Sequence, residues 1–294
     1  MVEHVIGIVF PVFAIVLVGF LYGRKFQPDL AAVNRINLDI FVPALIFAVL
    51  SNKDIVLGDY QGLLVGGAFV VLCSGVLAWP LVRYMGWQTK TFLPPIMFTN
   101  SGNMGLPLVL FAFGEAAMPA AVLLFIVENT LHFTVGMKMM DRSASIGHIF
   151  RLPMLLATIA GIALSLAGVN VPEALYRPID MLGQIAIPFM LFALGVRLVS
   201  VTLNDWRMGL AAAVVTPATG LILALIYITF VTLPSQQVAV LILFGALPPA
   251  VLNFMVAEKF QQQPAEVASI VMIGNLASVV VIPTVLYFVL PKAY

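Results

Sequence analysis

Ten apolar stretches, each long enough to cross a lipid bilayer, recur along the 294-residue sequence. A helix of about twenty apolar residues spans the ~30 Å hydrocarbon core. Short polar or charged segments, such as residues 25–29 and 261–264, separate these stretches. The sequence therefore predicts an all-α integral membrane protein with ten transmembrane helices. These spans 1 to 10 cover residues 4–23, 31–52, 61–83, 91–114, 117–140, 149–168, 173–196, 207–232, 236–257 and 265–290.

The charge content points to the same class of protein. Only 9% of the residues are charged and 62% are hydrophobic, whereas a soluble domain carries about 25% charged residues. A soluble fold of this length could not cover its apolar surface with so few charges. The net charge of +1 excludes a basic face for nucleic acid, and the single cysteine, Cys73, excludes an internal disulfide.

Lysine and arginine predict the orientation of the chain, because cytoplasmic loops are enriched in both. Eleven of the fourteen lie on connections that follow odd-numbered spans, and only Lys53, Arg177 and Lys292 lie on the other side. We therefore expect a multi-pass protein of the plasma (inner) membrane with both termini on the non-cytoplasmic side. Arg24 and Lys25 follow the first apolar stretch, which favours a retained helix over a signal peptide.

The two halves of the sequence resemble each other. Pro11–Gly19 in span 1 corresponds to Pro153–Gly161 in span 6, and Phe41–Ala48 in span 2 corresponds to Ala186–Ala193 in span 7. Five spans are an odd number, so the second half enters the membrane from the opposite face. Such inverted repeats are typical of secondary transporters. The predicted repeats are residues 1–143 and 147–294.

Span 4 contains polar residues, glycines and a proline in its middle. Pro107 removes a backbone donor, and Gly102 and Gly105 lower the cost of irregular backbone. Unpaired peptide groups are costly in lipid, so a break here must be covered by protein or line a cavity. Span 9 has a corresponding interruption at residues 244–254. For either helix taken alone, a proline kink satisfied by local serine and asparagine is the alternative.

Two breaks at corresponding positions predict a binding site where they cross. Half-helix N-termini that point inward offer partial positive charge and N–H groups, which suit a carboxylate. No lysine or arginine lies mid-span in the predicted core helices. We therefore predict a site for a small organic anion. The predicted substrate-binding residues are Thr99, Asn100, Ser101, Asn103, Pro107, Pro248 and Asn253.

Polar residues in spans 5 and 10 form a second predicted group: Glu128, Asn129, His132 and Asn275. An ionisable residue at membrane depth is a functional candidate. Glu128 would carry a coupling proton or help to bind a cation; the alternative is a protonated glutamic acid bonded to a neighbouring helix. The coupling ion, H+ or Na+, is left open, and neither a cofactor nor a metal is expected. Asn275 is the predicted repeat counterpart of Asn129.

The sequence resembles the auxin efflux carrier family, which comprises the plant PIN carriers and bacterial relatives named as malate or malonate permeases. The resemblance covers nearly the full length and rests on Asn34–Pro43, Asn100–Pro107, Ala246–Phe260 and Pro264–Pro283. It implies ten helices with crossing broken helices 4 and 9, an elevator-like motion and a homodimer. It also implies a substrate-binding role for Asn100.

The resemblance further implies a scaffold domain from spans 1, 2, 6 and 7 and a transport domain from spans 3–5 and 8–10. The plant carriers have a proline where this sequence has Asn253, and the long hydrophilic loop after span 5 is missing here. Both departures favour a carrier of a mono- or dicarboxylate such as malate or malonate over an auxin carrier, and an auxin-like anion stays open as an alternative substrate. The implied ranges are 1–56 and 147–203 for the scaffold, and 57–146 and 204–294 for the transport domain.

Two further functional classes were compared with a carrier. A passive anion channel stays open as an alternative. An intramembrane enzyme is disfavoured because His4, His132 and His148 are too scattered for a metal site and no H-E-x-x-H motif occurs. No phosphate-binding loop for an ATP-driven pump is found. The expected partners are a small carboxylate, the lipid bilayer and a second copy of the chain.

Overall fold

A computed structural model describes residues 2–51, 56–143, 147, 151–200 and 206–293. The predicted start of span 6 at residue 149 and the predicted domain boundary at 203–204 lie outside these residues, as do Lys53 and His148. Within the described residues all regular structure is helical. The α-helices are α1 Val2–Phe26, α2 Ala31–Ile36, α3 Val42–Leu50, α4 Gln61–Met85, α5 Thr89–Met97, α6 Leu106–Phe113, α7 Met118–Leu131, α8 Met137–Met140, α9 Pro153–Leu166, α10 Glu173–Arg197, α11 Trp206–Phe230, α12 Ser235–Gly245, α13 Leu252–Lys259 and α14 Pro264–Ala293.

Several α-helices continue into one another through π-helical turns. The π-turn Asn37–Phe41 joins α2 to α3, and His132–Gly136 joins α7 to α8. A third, Ser101–Gly105, leads into α6. π-turns inside helices are frequent at functional sites, and two of the three lie in predicted spans 4 and 5. Short 3₁₀ turns lie at Leu57–Tyr60, Glu115–Ala117 and Leu198–Ser200.

Seven helical stretches in the described residues are long and apolar enough to cross a membrane. Three shorter apolar helices of the described part are Ser101–Phe113, Pro153–Leu166 and Ser235–Gly245. The all-helical membrane architecture is therefore confirmed, whereas the count of ten spans stays a prediction. The seven long stretches are Val2–Phe26, Ala31–Leu50, Gly58–Met85, Glu115–Met140, Glu173–Arg197, Trp206–Phe230 and Pro264–Leu290.

The internal contacts divide the chain into two compact units. Unit 1 comprises Met1–Phe13, Gly62–Ala144 and Ser200–Tyr294, and unit 2 comprises Ala14–Gln61 and Ser145–Val199. The assignment of a scaffold and a transport domain, with the ranges implied by the resemblance, stays a prediction. Each unit is described by itself below.

Unit 2 is held together by close helix contacts at glycine. A side chain on Gly19 of α1 would overlap the carbonyl group of Phe192 in α10. A Cβ on Gly161 of α9 would lie 3.1 Å from that of Leu50 in α3. Small residues let membrane helices approach closely, and dispersion contacts then stabilise the pair. The two glycines that the predicted repeat aligns thus each pack against another helix of this unit.

Unit 1 contains the helices around the predicted breaks. The long helix α14 lies against α11, α12, α13 and α5. The backbones of α11 and α12 meet at Gly220 and Gly245, where a Cβ on Gly245 would lie 2.6 Å from the Gly220 carbonyl oxygen. The Tyr227 hydroxyl donates to the Gly62 carbonyl over 2.7 Å and joins α11 to α4. These contacts place the C-terminal end of α12 against α11.

Candidate functional site

The two interruptions of the apolar helices meet in unit 1. Thr99 and Pro249 form an isolated antiparallel bridge. On one side of it the Asn100 N–H donates to the Pro248 carbonyl over 2.7 Å, and on the other the Ala250 N–H donates to the Phe98 carbonyl over 3.1 Å. Backbone groups that the helices no longer satisfy are therefore satisfied by each other, as a membrane interior requires. We call residues 98–100 and 248–250 the crossover.

Proline explains why α12 ends at the crossover. α12 ends at Gly245, and Pro248 and Pro249 lack the N–H groups that would continue it. The residue before a proline also avoids the helical region. α5 contains Pro94 and Pro95 and ends at Met97, after which Phe98 is extended, with φ −105° and ψ 103°. The end of α12 thus follows from Pro248 and Pro249, whereas Pro94 and Pro95 lie within α5 and do not mark its end.

Pro107 does not lie at the interruption itself, although its position in the middle of span 4 suggested that it would. It lies at the start of α6, directly after the π-turn Ser101–Gly105 that leads into that helix. The non-helical segment, residues 98–100, lies upstream of it and ends at Asn100, whose carbonyl accepts from Met104 and Gly105. Pro107 therefore helps to start the second half-helix, and the interruption itself lies upstream.

Two buried asparagines connect the crossover to α14. The Asn100 Nδ2 group donates to Asn275 Oδ1 over 3.1 Å. Asn275 Nδ2 in turn donates to the Pro249 carbonyl over 3.0 Å and to the Val271 carbonyl of its own helix over 2.7 Å. Both side chains are at least 96% buried. Asn275 thus binds both strands of the crossover at once.

Asn253 makes a second link between the two broken segments. Its Nδ2 group donates to the Phe98 carbonyl over 2.8 Å and to the Ala250 carbonyl over 3.0 Å. Its Oδ1 atom has no hydrogen-bond partner among the described residues. The side chain therefore ties the first turn of α13 to the extended end of α5.

Glu128 approaches the crossover from α7. The Ser101 hydroxyl donates to its carboxyl group, and the backbone N–H groups of Thr99 and Ser101 lie beside the same carboxyl. Only 2% of Glu128 is exposed. An acid in this position can accept or release a proton beside the start of the second half-helix.

Of the other predicted polar residues, some contact the crossover and others do not. His132, one turn after Glu128, stacks on the Phe98 ring with 4.3 Å between centroids. Its Nε2 atom has no hydrogen-bond partner in the part of the chain that is described. Asn129 is half-buried and donates to the Phe125 carbonyl of its own helix. Asn103 is half-buried in the π-turn. The crossover therefore gathers Glu128 and His132, whereas Asn129 bonds along α7.

Comparison with known proteins identifies the class. The sequence profile of a family described as "Membrane transport protein" matches residues 4–287, nearly the whole chain. The chain belongs to this family, the auxin efflux carriers. Its class is therefore membrane transport, and it is not an enzyme.

Two relatives of this auxin efflux carrier family member extend over the full length. One is the "Putative malonate transporter" of Rhizobium meliloti (strain 1021), which is 27% identical over 310 aligned residues, covering 97% of this chain and 96% of the relative. The other is the "Uncharacterized transporter YfdV" of Escherichia coli (strain K12), which is 23% identical, with 98% of each chain covered.

One buried polar residue near the crossover of this family member was missed by the sequence interpretation. Thr216 in α11 is 1% exposed, and its hydroxyl has no partner among the described residues. It lies beside Thr99 and Ser74 along one small cavity. Its signal in the sequence is a threonine directly before Pro217 in a predominantly apolar span. A threonine in a membrane helix usually bonds to its own backbone, which is why the position drew no attention.

Proposed function

We propose that this protein is a secondary transporter of a small organic anion, a mono- or dicarboxylate of the malonate type, and that the substrate binds at the crossover. The observation that carries the proposal is the bonded crossing of the two breaks, with Asn100 and Asn275 buried within it. Half-helices begin just beyond the crossing, at residues 101–106 and at Leu252. Their N-terminal partial charges favour a carboxylate without a buried lysine or arginine.

The name of the Rhizobium relative supports this substrate class. That protein is named for malonate and aligns with this chain over nearly its whole length. Malonate is compact and carries two carboxylates, which suits a site built from two opposed half-helix N-termini. A substrate with a large apolar ring would need a wider apolar surface beside the crossover.

The paired contacts of the two halves support alternating access. The bridge bonds of Asn100 and Ala250 are reciprocal about Thr99 and Pro249. Gly19 and Gly161, which the repeat aligns, each pack against another helix. We propose ten spans in two inverted repeats that exchange their conformations between two states, in an elevator-like motion, with the protein acting as a homodimer. Inverted repeats are a common basis for such exchange.

Glu128 supplies a proton-exchanging group in the proposed cycle. Its carboxyl accepts from Ser101, the first residue of the second half-helix. Loss or gain of a proton there changes the charge that faces the substrate carboxylate, and this links proton binding to anion binding. The proposed direction of coupling is that the protonated acid favours the bound anion, because two negative charges at one helix terminus repel each other.

Counterflow in proteoliposomes tests the function. Vesicles loaded with unlabelled malonate should accumulate labelled malonate transiently, and the initial rate should saturate with concentration. The Asn100→Ala variant should lose about tenfold or more of this rate, because it removes the hydrogen bond from Asn100 to Asn275 within the crossover, and a tenfold loss corresponds to about 1.4 kcal/mol. Asn170→Ala, an exposed asparagine outside the crossover, is the control. A linear flux without counterflow would mean a channel, and full activity of Asn100→Ala would place the site elsewhere.

A further inference from the structure

Two exposed arginines of unit 1 lie over tryptophan rings. The guanidinium carbon of Arg83 in α4 lies 5.2 Å from the centre of the Trp79 ring, one turn earlier on the same helix. That of Arg207 in α11 lies 5.6 Å from the centre of the neighbouring Trp206 ring. A guanidinium stacked on a ring keeps its charge, and its edge still carries N–H donors for an oxygen anion. We call these two groups the arginine–tryptophan pairs.

Two exposed arginines of unit 2 are paired differently. Arg35 lies 3.5 Å from the Asp39 carboxylate, and Arg177 lies 2.7 Å from the Glu173 carboxylate, in each case one helical turn away. Among the described residues, neither arginine of the arginine–tryptophan pairs has a carboxylate within ion-pair distance. The positive charge of these pairs is therefore not matched from within the described part of the chain.

The sequence at the two helix ends has an excess of positive charge. Residues 79–88 contain Arg83 as their one charged residue, and residues 204–210 contain Arg207 and Asp205. Asp205 lies outside the described residues. The N-terminal end of α11 at Trp206 adds a partial positive charge, which favours an anion beside Arg207.

The two pairs lie at the same end of neighbouring antiparallel helices. A Cβ on Gly66 of α4 would lie 2.7 Å from the Tyr227 ring of α11, and further along α4 Ser74 lines the same small cavity as Thr216 of α11. Neighbouring positions thus rise in number along α4 and fall along α11. The rise is about 26 Å from Gly66 to the arginine of α4 and about 30 Å from Tyr227 to the arginine of α11. The two arginines therefore lie at nearly the same height.

Exposed apolar residues continue from each pair toward the middle of its helix. Val76 of α4 is 72% exposed and lies seven residues before Arg83, and Val214 of α11 is 68% exposed and lies seven residues after Arg207. Seven residues make about two helical turns, so each valine shares a helix face with its arginine. In a membrane protein such faces contact acyl chains, and an arginine at their end lies at the depth of the headgroups.

We propose that the arginine–tryptophan pairs of α4 and α11 bind the headgroups of anionic phospholipids. The phosphate oxygens accept hydrogen bonds from the guanidinium edges, the tryptophan rings lie at the headgroup level, and the acyl chains lie along the exposed apolar faces. A zwitterionic lipid binds less well, because its own ammonium group opposes the attraction to arginine. The distribution of lysine and arginine predicts the cytoplasmic leaflet for this end, where anionic lipids attract basic residues.

Tryptophan fluorescence of the purified full-length protein in vesicles tests the proposal. Two of the three tryptophans belong to the pairs, and brominated acyl chains quench an indole ring only when they lie beside it. In phosphatidylcholine bilayers with the same minor fraction of one brominated lipid, brominated phosphatidylglycerol should quench more than brominated phosphatidylcholine, as for an about tenfold preference. The Arg83→Gln/Arg207→Gln variant keeps both rings and should lose this preference. Arg177→Gln, which removes the exposed arginine paired with Glu173, should keep it.

Further measurements keep the test decisive if the double glutamine variant does not fold. Arg83→Lys/Arg207→Lys retains both charges and should retain the preference, and in the unmodified protein high salt should remove it, because salt screens exposed charges. Equal quenching by the two brominated lipids would overturn the proposal, as would equal preferences of the double glutamine and Arg177→Gln variants. Soluble glycerol phosphate at constant ionic strength should leave the preference unchanged; its loss would assign the arginines to a free phosphate and overturn lipid binding. None of these results depends on malonate counterflow.

Discussion

Asn275 shows how much of the crossover depends on a single side chain. It accepts from Asn100 and donates to the Pro249 carbonyl. Replacement by alanine leaves both of these groups buried without that partner, at a cost of about 1–3 kcal/mol each. We therefore predict that Asn275→Ala lowers the unfolding temperature clearly in a fluorescence-monitored melt. Ser278→Ala is the matched control, because that buried hydroxyl bonds only to the carbonyl of Asn275 in its own helix, over 2.6 Å. Equal melting of the two variants would contradict a bridging role.

The second prediction for a single residue concerns Glu128. Glu128→Gln preserves the shape of the side chain and can still accept from Ser101, but it cannot exchange a proton. If Glu128 is the coupling group, the malonate uptake rate of the unmodified protein changes by up to about tenfold per pH unit, as one titrating site allows, and the variant loses this dependence. Initial rates between pH 5 and pH 8 measure it. An unchanged pH profile in the variant would remove Glu128 from the cycle.

At the scale of whole elements, α11 and α12 are in close backbone contact. A methyl group on Gly220 would overlap the carbonyl of Gly245, so the two helix backbones could not keep their distance. We predict that Gly220→Ala displaces the C-terminal end of α12 and yields a protein with a strongly lowered melting temperature or a broad size-exclusion profile. Gly7→Ala is the control, because a Cβ there meets no atom within 4 Å. A monodisperse Gly220→Ala protein of normal stability would refute the close contact.

The elements also show which parts of the site could be predicted from sequence. The density of proline and glycine in spans 4 and 9 predicted that both helices break, because these residues act through local backbone geometry. The first break lies at residues 98–100, upstream of Pro107, where the two broken segments bond to each other. Which segment a broken helix end bonds to is a tertiary contact, and local backbone preferences do not determine it.

The faces of α7 and α11 could not be predicted for a related reason. Apolar residues surround both helices, so no polar stripe marks the side that faces the protein. Glu128 contacts the crossover and the adjacent Asn129 does not, a distinction of about 100° in helical phase. The burial of Thr216 in α11 could not be predicted for the same reason. In a membrane protein the inward face is marked by a few polar atoms whose partners lie far away in the sequence.

At the scale of the whole molecule, the distribution of lysine and arginine predicts that both termini lie outside the cytoplasm. Alkaline phosphatase fused to the C-terminus should therefore be active in cells, and green fluorescent protein fused there should stay dark. A fusion after residue 143, in the connection predicted to be cytoplasmic, is the control with the opposite result. Fluorescence at the C-terminus would invert the topology or change the number of spans. The mass of the detergent-solubilised protein tests the homodimer independently.

The prolines at the Thr99–Pro249 bridge restrict how the two broken segments can align. Pro248 and Pro249 have no amide hydrogen, so a slip that brings Pro249 opposite Phe98 would leave the Phe98 carbonyl facing a nitrogen that cannot donate. In lipid, that carbonyl would find no water to replace the lost bond. In the proposed elevator-like motion the two segments would therefore move together, and a ligand held by one of them would be carried by both.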